Sequence, residues 1–439
     1  MVGSGLANVL DAFEGLSPDP SWAFLGLTQK QTSYATHGYH RYPAKFIPQL
    51  AARLIREYST EGDLVVDPFM GSGTTLVEAK LLRRPSVGVD INPVAHLVAW
   101  AKTQAIEPAR LTHAFDLLAE RLAAPAQPSL FGHPEGSSLA STDAEWHERL
   151  RYWFSESTLR QLTQIQRAID ALEGEAERIF FNCALSHTLK SVSYWHDRSV
   201  KPMRKLEKPI PDAREVFLRH AKRMTRGNRE YWSLLCERNA LDTSAQPFCA
   251  DARALPVNDE TAALVVTSPP YVTSYEYADL HQLSALWFGW ASNLREFREN
   301  FIGRSNGVHE TLSELNSPLA ERIVAQIGVS NARKAREVEL YFAEMLACFR
   351  EMRRVLTAGG YACIVIGNTH LCGVEVQNAQ VFAEQLESLG FTLERVILRE
   401  IPSKILPRTR DKATGKFAKT GEADYVAYPT EYIVIVRKG

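Results

Sequence analysis

The segment 264-LVVTSPPYVTSY-275 joins an apolar run to a stiff, polar corner. Its first four residues are typical of a strand buried on both faces, because a short apolar run bounded by turn residues fits a parallel sheet. Pro269 and Pro270 fix two φ angles and remove two N–H donors, so the chain must leave the sheet there. The polar groups of Ser268 and the Tyr271 ring are thereby held at the carboxyl end of a strand, where open α/β sheets bind ligands. An ordinary turn after a strand is the alternative.

A second motif, 67-DPFMGSGTT-75, follows another apolar strand. Gly71 and Gly73 allow a tight turn and close approach of a ligand, and the threonines after them can cap the next helix. A phosphate-binding P-loop would need a lysine before Thr74, and the dinucleotide fingerprint would need a third glycine where Leu76 stands. Asp67, placed before the glycines, favours a positively charged ligand over a pyrophosphate.

The next strand, 86-SVGVDI-91, ends in a third polar group, the carboxylate of Asp90. An acid at this position of a nucleotide-binding sheet accepts hydrogen bonds from ribose hydroxyls. Asp67 and Asp90 together therefore predict a site for a nucleoside that carries positive charge, which describes S-adenosylmethionine.

Seven strand-like segments and several helical patterns must position these motifs. The strands are predicted at 63–69, 86–91, 248–255, 263–268, 361–368, 394–400 and 432–438. Helical periodicity occurs in 46–58, 75–82, 93–102, 340–356 and 377–389. Strands that alternate with helices of this length predict βαβ units and a mainly parallel sheet. A long polar loop joins the last two strands, so they are expected to pair as an antiparallel hairpin at the end of the sheet.

The composition limits the classes of protein that fit. With 439 residues, of which 45% are hydrophobic, the chain is long enough for two or three folded domains. Lysine and arginine number 50 against 51 acidic residues, so a nucleic-acid partner must bind through local patches. The six scattered cysteines predict reduced thiols in a cytosolic protein without a metal site. The absence of a long apolar run predicts a soluble, unsecreted protein without a membrane partner.

The motifs together resemble those of the amino-group DNA methyltransferases, enzymes that methylate N4 of cytosine or N6 of adenine. The resemblance covers residues near 37–103, 248–290 and, more loosely, 340–439. It rests on DPFMGSGTT, GVDINP, DARALP and TSPPY, and 40-HRYPAKFIP-48 looks like the family's additional cofactor motif. It implies a Rossmann-like seven-stranded methyltransferase sheet, mainly parallel with an antiparallel last strand, and S-adenosylmethionine as the cofactor.

The resemblance also implies a role for each matching position. The cofactor-binding residues would be Lys45, Phe46, Pro48, Asp67, Pro68, Phe69, Gly71, Gly73, Thr74, Asp90, Ile91, Asp251, Ala252 and Ser268. Asp67 and the glycine backbone would hold the methionine part, and Asp90 would hold the ribose with Ile91 against the adenine. Asp251 and Ala252 would meet the adenine edge.

The catalytic corner would consist of Ser268, Pro269, Pro270 and Tyr271. A sulfonium methyl is already activated, so the protein must mainly hold an exocyclic amine in line with it. Acceptors at Ser268 and the Pro269 carbonyl would bind the amine N–H groups and disperse the developing charge. Tyr271 would stack on a base extruded from the duplex. In the family that the chain resembles, a serine before Pro-Pro-Tyr occurs mostly in N4-cytosine enzymes, so the resemblance favours N4 of cytosine over N6 of adenine. The lack of a following cysteine disfavours carbon-5 methylation.

The chain departs from the family between Asp90 and Asp251. Residues 106–245 are expected to form a largely helical target-recognition insert within a catalytic domain made of 1–105 and 246–439, and 291–339 a second insert. Residues 190–229 carry 12 lysines or arginines against four acids, which is typical of phosphate contacts, although a solvated helical face is the alternative. The candidate DNA contacts are Tyr194, Trp195, Arg198, Lys201, Arg204 and Lys205 there, and Lys404, Arg408 and Arg410 in the final loop. Trp287 and Trp290 are expected in the core.

Three functions remain open at this point. A site-specific DNA methyltransferase is favoured, acting on double-stranded DNA in the cytoplasm of a bacterial or archaeal cell, associated with the nucleoid. Its partner would be a restriction endonuclease for the same site. An RNA methyltransferase with the same corner comes second, since no recognisable RNA-binding module is present. A non-catalytic nucleic-acid-binding protein comes third, because intact Asp67, Asp90 and Ser268 argue against a relic site.

Overall fold

A computed structural model describes residues 8–42, 47–123, 144–199, 201–272, 277–291, 294–299, 301–303, 314–401, 409–410, 425–426 and 430–439. Of the predicted site residues, Lys45, Phe46, Lys404 and Arg408 lie outside this part of the chain, and only the backbone of Arg410 is described.

A seven-stranded sheet forms the centre of the protein, in the order β3-β2-β1-β4-β5-β11-β8. Its strands are β1 (Val65–Asp67), β2 (Ser86–Asp90), β3 (Ala245–Cys249), β4 (Ala262–Thr267), β5 (Leu356–Ile366), β8 (Phe391–Glu400) and β11 (Thr430–Lys438). Two small antiparallel pairs accompany it: β6 (Thr369–Leu371) with β7 (Val374–Val376), and β9 (Thr409–Arg410) with β10 (Tyr425–Val426).

The pairing confirms a mainly parallel sheet with an antiparallel last strand. Neighbours from β3 through β5 run parallel, whereas β11 is antiparallel to both β5 and β8. The predicted hairpin is confirmed, since β8 and β11 pair antiparallel at the end of the sheet, with β8 at the edge and β11 between β5 and β8. Residues 433–436 of β11 are at most 1% exposed, because the position between two strands buries this apolar run.

The bounds of the third strand differ from the predicted 248–255. It begins earlier, at Ala245, and ends at Cys249. Beyond it, the Asp251 side chain accepts the N–H of Arg253 at 2.8 Å, and its carbonyl accepts the N–H of Ala254 at 3.0 Å. These bonds fold residues 251–254 into a turn that a continuing strand could not make.

Helices cover both faces of the sheet. They are α1 (Gln29–Thr32), α2 (Pro48–Tyr58), α3 (Thr74–Leu81), α4 (Pro93–Thr103), α5 (Pro108–Ala123), α6 (Ala144–Trp153), α7 (Glu156–Asp170), α8 (Glu175–Ser191), α9 (Ala213–Glu237), α10 (Tyr277–Trp287), α11 (Leu294–Glu299), α12 (Pro318–Ser330), α13 (Ala332–Val355) and α14 (Asn378–Ser388). Along β4, Leu264 and Val266 pack in the cluster that contains α2, whereas Val265 packs in the cluster that contains α12, α13 and α14. The strand is therefore buried on both faces, as its composition predicts.

The helices between β2 and β3 share one apolar core. Residues of α5, α7, α8 and α9 form this cluster together with residues of α4 and α10. The insert is thus packed on the helix that precedes it and on the helix that follows the Ser-Pro-Pro-Tyr corner. Trp287 is 3% exposed and belongs to this core, as expected, but the same expectation for Trp290 is wrong. Trp290 is 38% exposed because it follows the end of α10 and the left-handed turn at Gly289, where φ is +68°.

Among the helices in the described ranges, none combines the length and the apolar character needed to cross a membrane.

Candidate active site

The predicted polar groups meet at one edge of the sheet. β2, β1 and β4 are adjacent and parallel, and their last residues are Asp90, Asp67 and Thr267. The glycine loop follows β1, and Ser268 follows β4. The carboxyl ends of three neighbouring strands therefore bring both carboxylates and the corner to one place, as the motif order along the strands predicts.

Asp67 connects the glycine motif to the corner. Its side chain is 1% exposed, and Oδ1 accepts hydrogen bonds from the Thr267 hydroxyl at 2.7 Å and from the Phe69 N–H at 3.1 Å. Burial raises the pKa of Asp67 to about 6, although these hydrogen bonds act to lower it. Because Thr267 directly precedes Ser268, this bond fixes the start of the corner relative to the glycine loop.

The glycine loop contains two residues in the left-handed region of the backbone, which glycine adopts readily. Gly71 and Gly73 have φ of +46° and +71°, and a Cβ on Gly73 would lie 2.9 Å from the Cβ of Ala99. Beneath the loop, the buried Lys102 donates to the Ser72 carbonyl at 2.6 Å. Lys102 was not predicted as a site residue. The sequence does not distinguish it from an exposed lysine, and only the structure shows that it is buried.

The threonines after the glycines do not cap α3, so that prediction is wrong. The N-cap is Gly73, without a side-chain hydrogen bond. Thr75 lies inside the helix and donates to the Val266 carbonyl at 3.4 Å. The Thr74 hydroxyl is buried and has no hydrogen-bond partner within the described residues. It is thus a polar atom at the loop that a bound molecule can satisfy.

Asp90 is held by the backbone of both flanking loops. Its Oδ2 accepts the N–H of Gly71 at 3.1 Å, and its Oδ1 accepts the N–H of Asn92 at 2.9 Å. Burial raises the pKa of Asp90 to about 7, hydrogen bonds from these N–H groups lower it, and the charge of Asp67 raises it. The carboxylate is only partly buried, and each oxygen keeps a lone pair for a further donor.

The remaining predicted cofactor residues take less specific positions. Asp251 accepts from Arg253, whose Nη2 lies 2.6 Å from Oδ2. Burial acts to raise the pKa of Asp251, but the hydrogen bonds from Arg253 outweigh it and leave the pKa below its usual value. Ala252 is buried beside it, and Pro48 is the buried first residue of α2. Ile91 follows Asp90 and is partly exposed.

The Ser-Pro-Pro-Tyr corner is fixed from two sides. Pro269 is buried, whereas Ser268, Pro270 and Tyr271 are partly exposed. The buried Tyr341 of α13 donates its hydroxyl to the Pro270 carbonyl at 2.7 Å. The Tyr271 hydroxyl donates to Glu431 at 3.3 Å. Tyr341 was missed because it shares the apolar helical spacing of its neighbours, and nothing local distinguishes it from a core residue.

Tyr42 connects the upstream motif to this edge. A Cβ on Gly71 would lie 3.1 Å from the Tyr42 ring, and that ring lies 4.9 Å from the ring of His281, centroid to centroid. His281 Nδ1 lies 2.7 Å from the Asn92 side-chain amide. Burial lowers the pKa of His281 to about 3, so this ring is neutral at physiological pH. Tyr42 belongs to the motif 40-HRYPAKFIP-48, but it was not predicted as a site residue.

The predicted DNA contacts of the insert lie in residues 194–199 and 201–205, the basic segment. Lys205 N–H donates to the Tyr194 carbonyl at 2.7 Å, and His196 N–H donates to the Met203 carbonyl at 2.8 Å, which folds the segment back on itself. The side chains of Arg198, Lys201 and Lys205 are exposed. The basic segment therefore presents cations to solvent immediately after α8.

Trp195 and Arg204 do not share that exposure. Trp195 is 1% exposed and stacks on Trp153 with ring centroids 5.3 Å apart, so the prediction that it reaches base edges is contradicted. The guanidinium of Arg204 lies 4.3 Å from the centroid of the Tyr152 ring and 5.3 Å from that of Tyr194. Arg204 therefore packs the basic segment against its neighbours as well as carrying charge.

The end of helix α8, which precedes the basic segment, contacts residues near the site edge. The Ser186 hydroxyl lies 2.7 Å from that of Ser284 in α10 and 3.0 Å from His40 Nε2. The backbone N–H of Arg41 donates to His187 Nδ1 at 3.3 Å. The last turns of α8 thus contact the residues just before Tyr42 and the helix that follows the corner.

The chain is similar in sequence to known DNA methyltransferases. The DNA methylase model for N6- and N4-methyltransferases matches residues 13–99. The chain is 28% identical over 415 residues to the type II methyltransferase M.MvaI of Kocuria varians, covering 90% of each chain. It is 23% identical to the type II methyltransferase M.BsoBI of Geobacillus stearothermophilus, covering 83% of this chain and 80% of that one. TrmN from Thermus thermophilus, a solved structure, aligns with a TM-score of 0.27 and 11% identity, over 90% of this chain and 49% of that one.

Proposed function

The chain belongs to the amino-group DNA methyltransferases, and from this premise we propose that it methylates N4 of cytosine at a specific site in double-stranded DNA. S-adenosylmethionine is the cofactor, and the acceptor is the exocyclic amine of a base extruded from the duplex. The observation that carries the proposal is the hydrogen bond between Asp67 and Thr267 at 2.7 Å. It joins the loop that suits a cationic nucleoside to the corner that suits a base.

The residues at the sheet edge fit the cofactor. Asp90 keeps free lone pairs for ribose hydroxyls, and the carboxylate of Asp67 lies at the start of the loop that would hold the sulfonium end. The Thr74 hydroxyl has no hydrogen-bond partner among the described residues, and it supplies a polar group together with the glycine backbone. A side chain at Gly73 would collide there with Ala99. The bound cofactor supplies a methyl group on a positively charged sulfur, so no further activation of that carbon is required.

The corner then positions the acceptor amine. The Pro270 carbonyl already accepts a hydrogen bond from Tyr341. The acceptors proposed for the substrate are the Ser268 oxygen atoms and the Pro269 carbonyl. Hydrogen bonds from the amine N–H groups to these acceptors orient the nitrogen lone pair and disperse positive charge as the bond to carbon forms. The Tyr271 ring stacks on the extruded base and offsets part of the cost of unstacking it.

The insert would supply most of the DNA contacts. We propose that residues 106–245 form the recognition unit, and that 1–105 with 246–439 form the catalytic unit. The exposed Lys201 and Lys205 suit phosphates, and the exposed Arg198 suits a base edge. Tyr194 is partly exposed beside Arg204 and lies in the same segment. Residues 291–339 and the final loop with Lys404, Arg408 and Arg410 are the second proposed contacts.

The choice of cytosine N4 over adenine N6 rests on Ser268 alone, since serine before Pro-Pro-Tyr resembles the cytosine-N4 enzymes. The similarity to type II methyltransferases supports a role in restriction–modification. We propose that an endonuclease of the same specificity accompanies the enzyme, and that methylation blocks its cleavage.

The test is direct identification of the product. Purified protein, duplex DNA and methyl-labelled S-adenosylmethionine are incubated, and the DNA is digested to nucleosides for mass spectrometry. We expect N4-methylcytosine at one sequence, formed about 10²-fold more slowly by the Ser268→Ala variant at equal protein concentration. N6-methyladenine as the product would reassign the base but keep the enzyme class. Methylation of RNA alone, or no methyl transfer by the parent protein, would overturn the proposal.

A further inference from the structure

Two residues far from the Ser-Pro-Pro-Tyr motif lie directly beside Tyr271. Gly367 follows the last residue of β5, and Glu431 is the second residue of β11. The strands pair with Tyr432 opposite Ile366, so Gly367 and Glu431 are neighbours across them. Because β11 is antiparallel, its first residues lie at the same edge as the carboxyl ends of β4 and β5.

Tyr271 touches both residues. Its hydroxyl donates to Oε2 of Glu431 at 3.3 Å. A Cβ built on Gly367 would lie 2.9 Å from Cε2 of the Tyr271 ring and 3.3 Å from its hydroxyl oxygen. The backbone of Gly367 lies outside the left-handed region, so it is the closeness of the ring that excludes a side chain there.

A buried ion pair holds Glu431 in place. Arg399 is the direct strand partner of Glu431, and its Nη1 donates to Oε1 of Glu431 at 2.6 Å. Arg399 is 3% exposed and Glu431 is 8% exposed. Two charges so deeply buried add little net stability, because their desolvation offsets their attraction. Instead, the two oxygens of the Glu431 carboxylate have different partners: Oε1 accepts from Arg399, and Oε2 accepts from Tyr271.

We propose that Glu431 and Gly367 are positioning residues that fix the Tyr271 ring in the orientation in which it stacks on the extruded base. The inference rests on the proposed function. A tyrosine ring fixed at its hydroxyl and along one edge loses little further side-chain freedom when the base arrives. A ring without these contacts must be ordered during each extrusion, and base extrusion becomes less favourable.

The test compares two double variants in which no buried charge is left unpaired. Glu431→Met with Arg399→Met removes the ion pair and the acceptor for Tyr271. Glu431→Gln with Arg399→Met also removes the charges but keeps an oxygen that accepts the hydroxyl. Single-turnover methylation is measured on the cognate duplex and on the same duplex with the target base mismatched, and cofactor affinity is measured by calorimetry.

We expect the first double variant to be about tenfold slower than the second on the duplex, the size of one missing hydrogen bond. The difference should shrink to about twofold or less on the mismatched substrate, whose base costs less to extrude. In a Tyr271→Phe background, the two double variants should be equal. A difference that persists in that background, or equal rates in the presence of Tyr271, would overturn the role of Glu431.

Gly367→Ala tests the other contact by steric means alone. We expect the rate on the duplex to fall by about tenfold with unchanged cofactor affinity, because the added methyl group displaces the Tyr271 ring and breaks its hydrogen bond to Glu431. Gly439→Ala is the control, since a Cβ on this exposed residue after β11 would meet the Gly390 carbonyl oxygen at an ordinary 3.5 Å, and parent-like rates are expected. Parent-like rates for Gly367→Ala would remove Gly367 from the proposal. A parent protein that methylates no DNA would instead refute the proposed function, so the two failures are distinguishable.

Discussion

The site edge and the basic segment arrange their polar groups in opposite ways. At the site edge, Asp67 and Asp90 are held by backbone N–H groups and by a hydroxyl, and burial raises the pKa of both carboxyl groups. In the basic segment, the cations of Arg198, Lys201 and Lys205 are exposed to solvent. The first region is desolvated and preorganised, whereas the second is solvated and adaptable. Substitutions of single residues at the edge should therefore change the methylation rate or the cofactor affinity strongly. In the basic segment, DNA affinity should depend on the number of charges and on the salt concentration.

The largest effect is expected at Ser268. Ser268→Ala removes an acceptor that binds the amine as charge develops, and removal of one such preorganised group typically costs about 10²-fold in rate. The single-turnover rate should fall by that factor while calorimetry gives cofactor affinity within about twofold of the parent. Ser17→Ala, at an exposed residue that precedes α1, is the control and should match the parent. An equal reduction of rate and cofactor affinity would show that Ser268 acts through the cofactor pocket.

The next largest effect is expected at Asp90. Asp90→Ala should weaken S-adenosylmethionine binding by about 1.5–3 kcal/mol, the scale of a hydrogen bond to a charged acceptor. Asp116→Ala, an exposed carboxylate on α5, is the control for removal of one negative charge. Unchanged affinity in the Asp90 variant would remove that residue from the site and break the contrast between the two regions.

The pH dependence should be smaller and should have a fixed sign. Ribose hydroxyls donate to ionised Asp90, so cofactor binding lowers a pKa that is about 7 in the free protein and releases a proton. Affinity should therefore rise with pH from about 6 to about 7, by up to about tenfold, and level off above that. Calorimetry in two buffers of different ionisation enthalpy measures the proton release. Asp90→Asn should lack it, and a variant that keeps the same release would assign it elsewhere.

The same pKa has an opposite consequence for the free protein. The pKa of Asp90 is about 7 in the folded state against an ordinary value of 3.8, so the folded state favours the protonated form. Its contribution to stability is present below pH 3.8 and is lost as the pH rises through about 7. The midpoint of urea unfolding should therefore fall less between about pH 4 and about pH 7 in Asp90→Asn than in the parent.

The smallest expected effect per residue is the change in DNA affinity when a lysine of the basic segment is neutralised. Lys201→Gln combined with Lys205→Gln should reduce the slope of log affinity for DNA against log salt by up to about 1.8, at about 0.9 for each phosphate that no longer has a cation beside it. Arg204 is left intact because its packing on Tyr152 would confuse the result. Arg83→Gln with Arg353→Gln is the control, since these cations precede β2 and β5 and lie near the amino ends of the strands. An unchanged slope in the lysine variant would transfer the phosphate contacts to residues 291–339 or 404–419.

Local sequence patterns were enough to predict which residues meet at the site edge. Asp67, Asp90 and Ser268 each follow a short apolar strand or end one, and the carboxyl ends of adjacent parallel strands lie at one edge. The glycines and prolines that follow fix the backbone locally, so their positions could be predicted from neighbouring residues alone. The same local information predicted the parallel sheet.

The side chains that support that edge could not be predicted in this way. Tyr271 and Glu431 are 160 residues apart, and they meet because β11 enters the sheet between β5 and β8. Tyr341 and Lys102 lie on helices whose apolar spacing is the same with or without a bond to the site. Trp195, in a basic stretch, is buried in the core by stacking on Trp153. Contacts between such distant residues depend on the order of the strands and on the packing of distant segments. A local pattern of residues predicts neither of these.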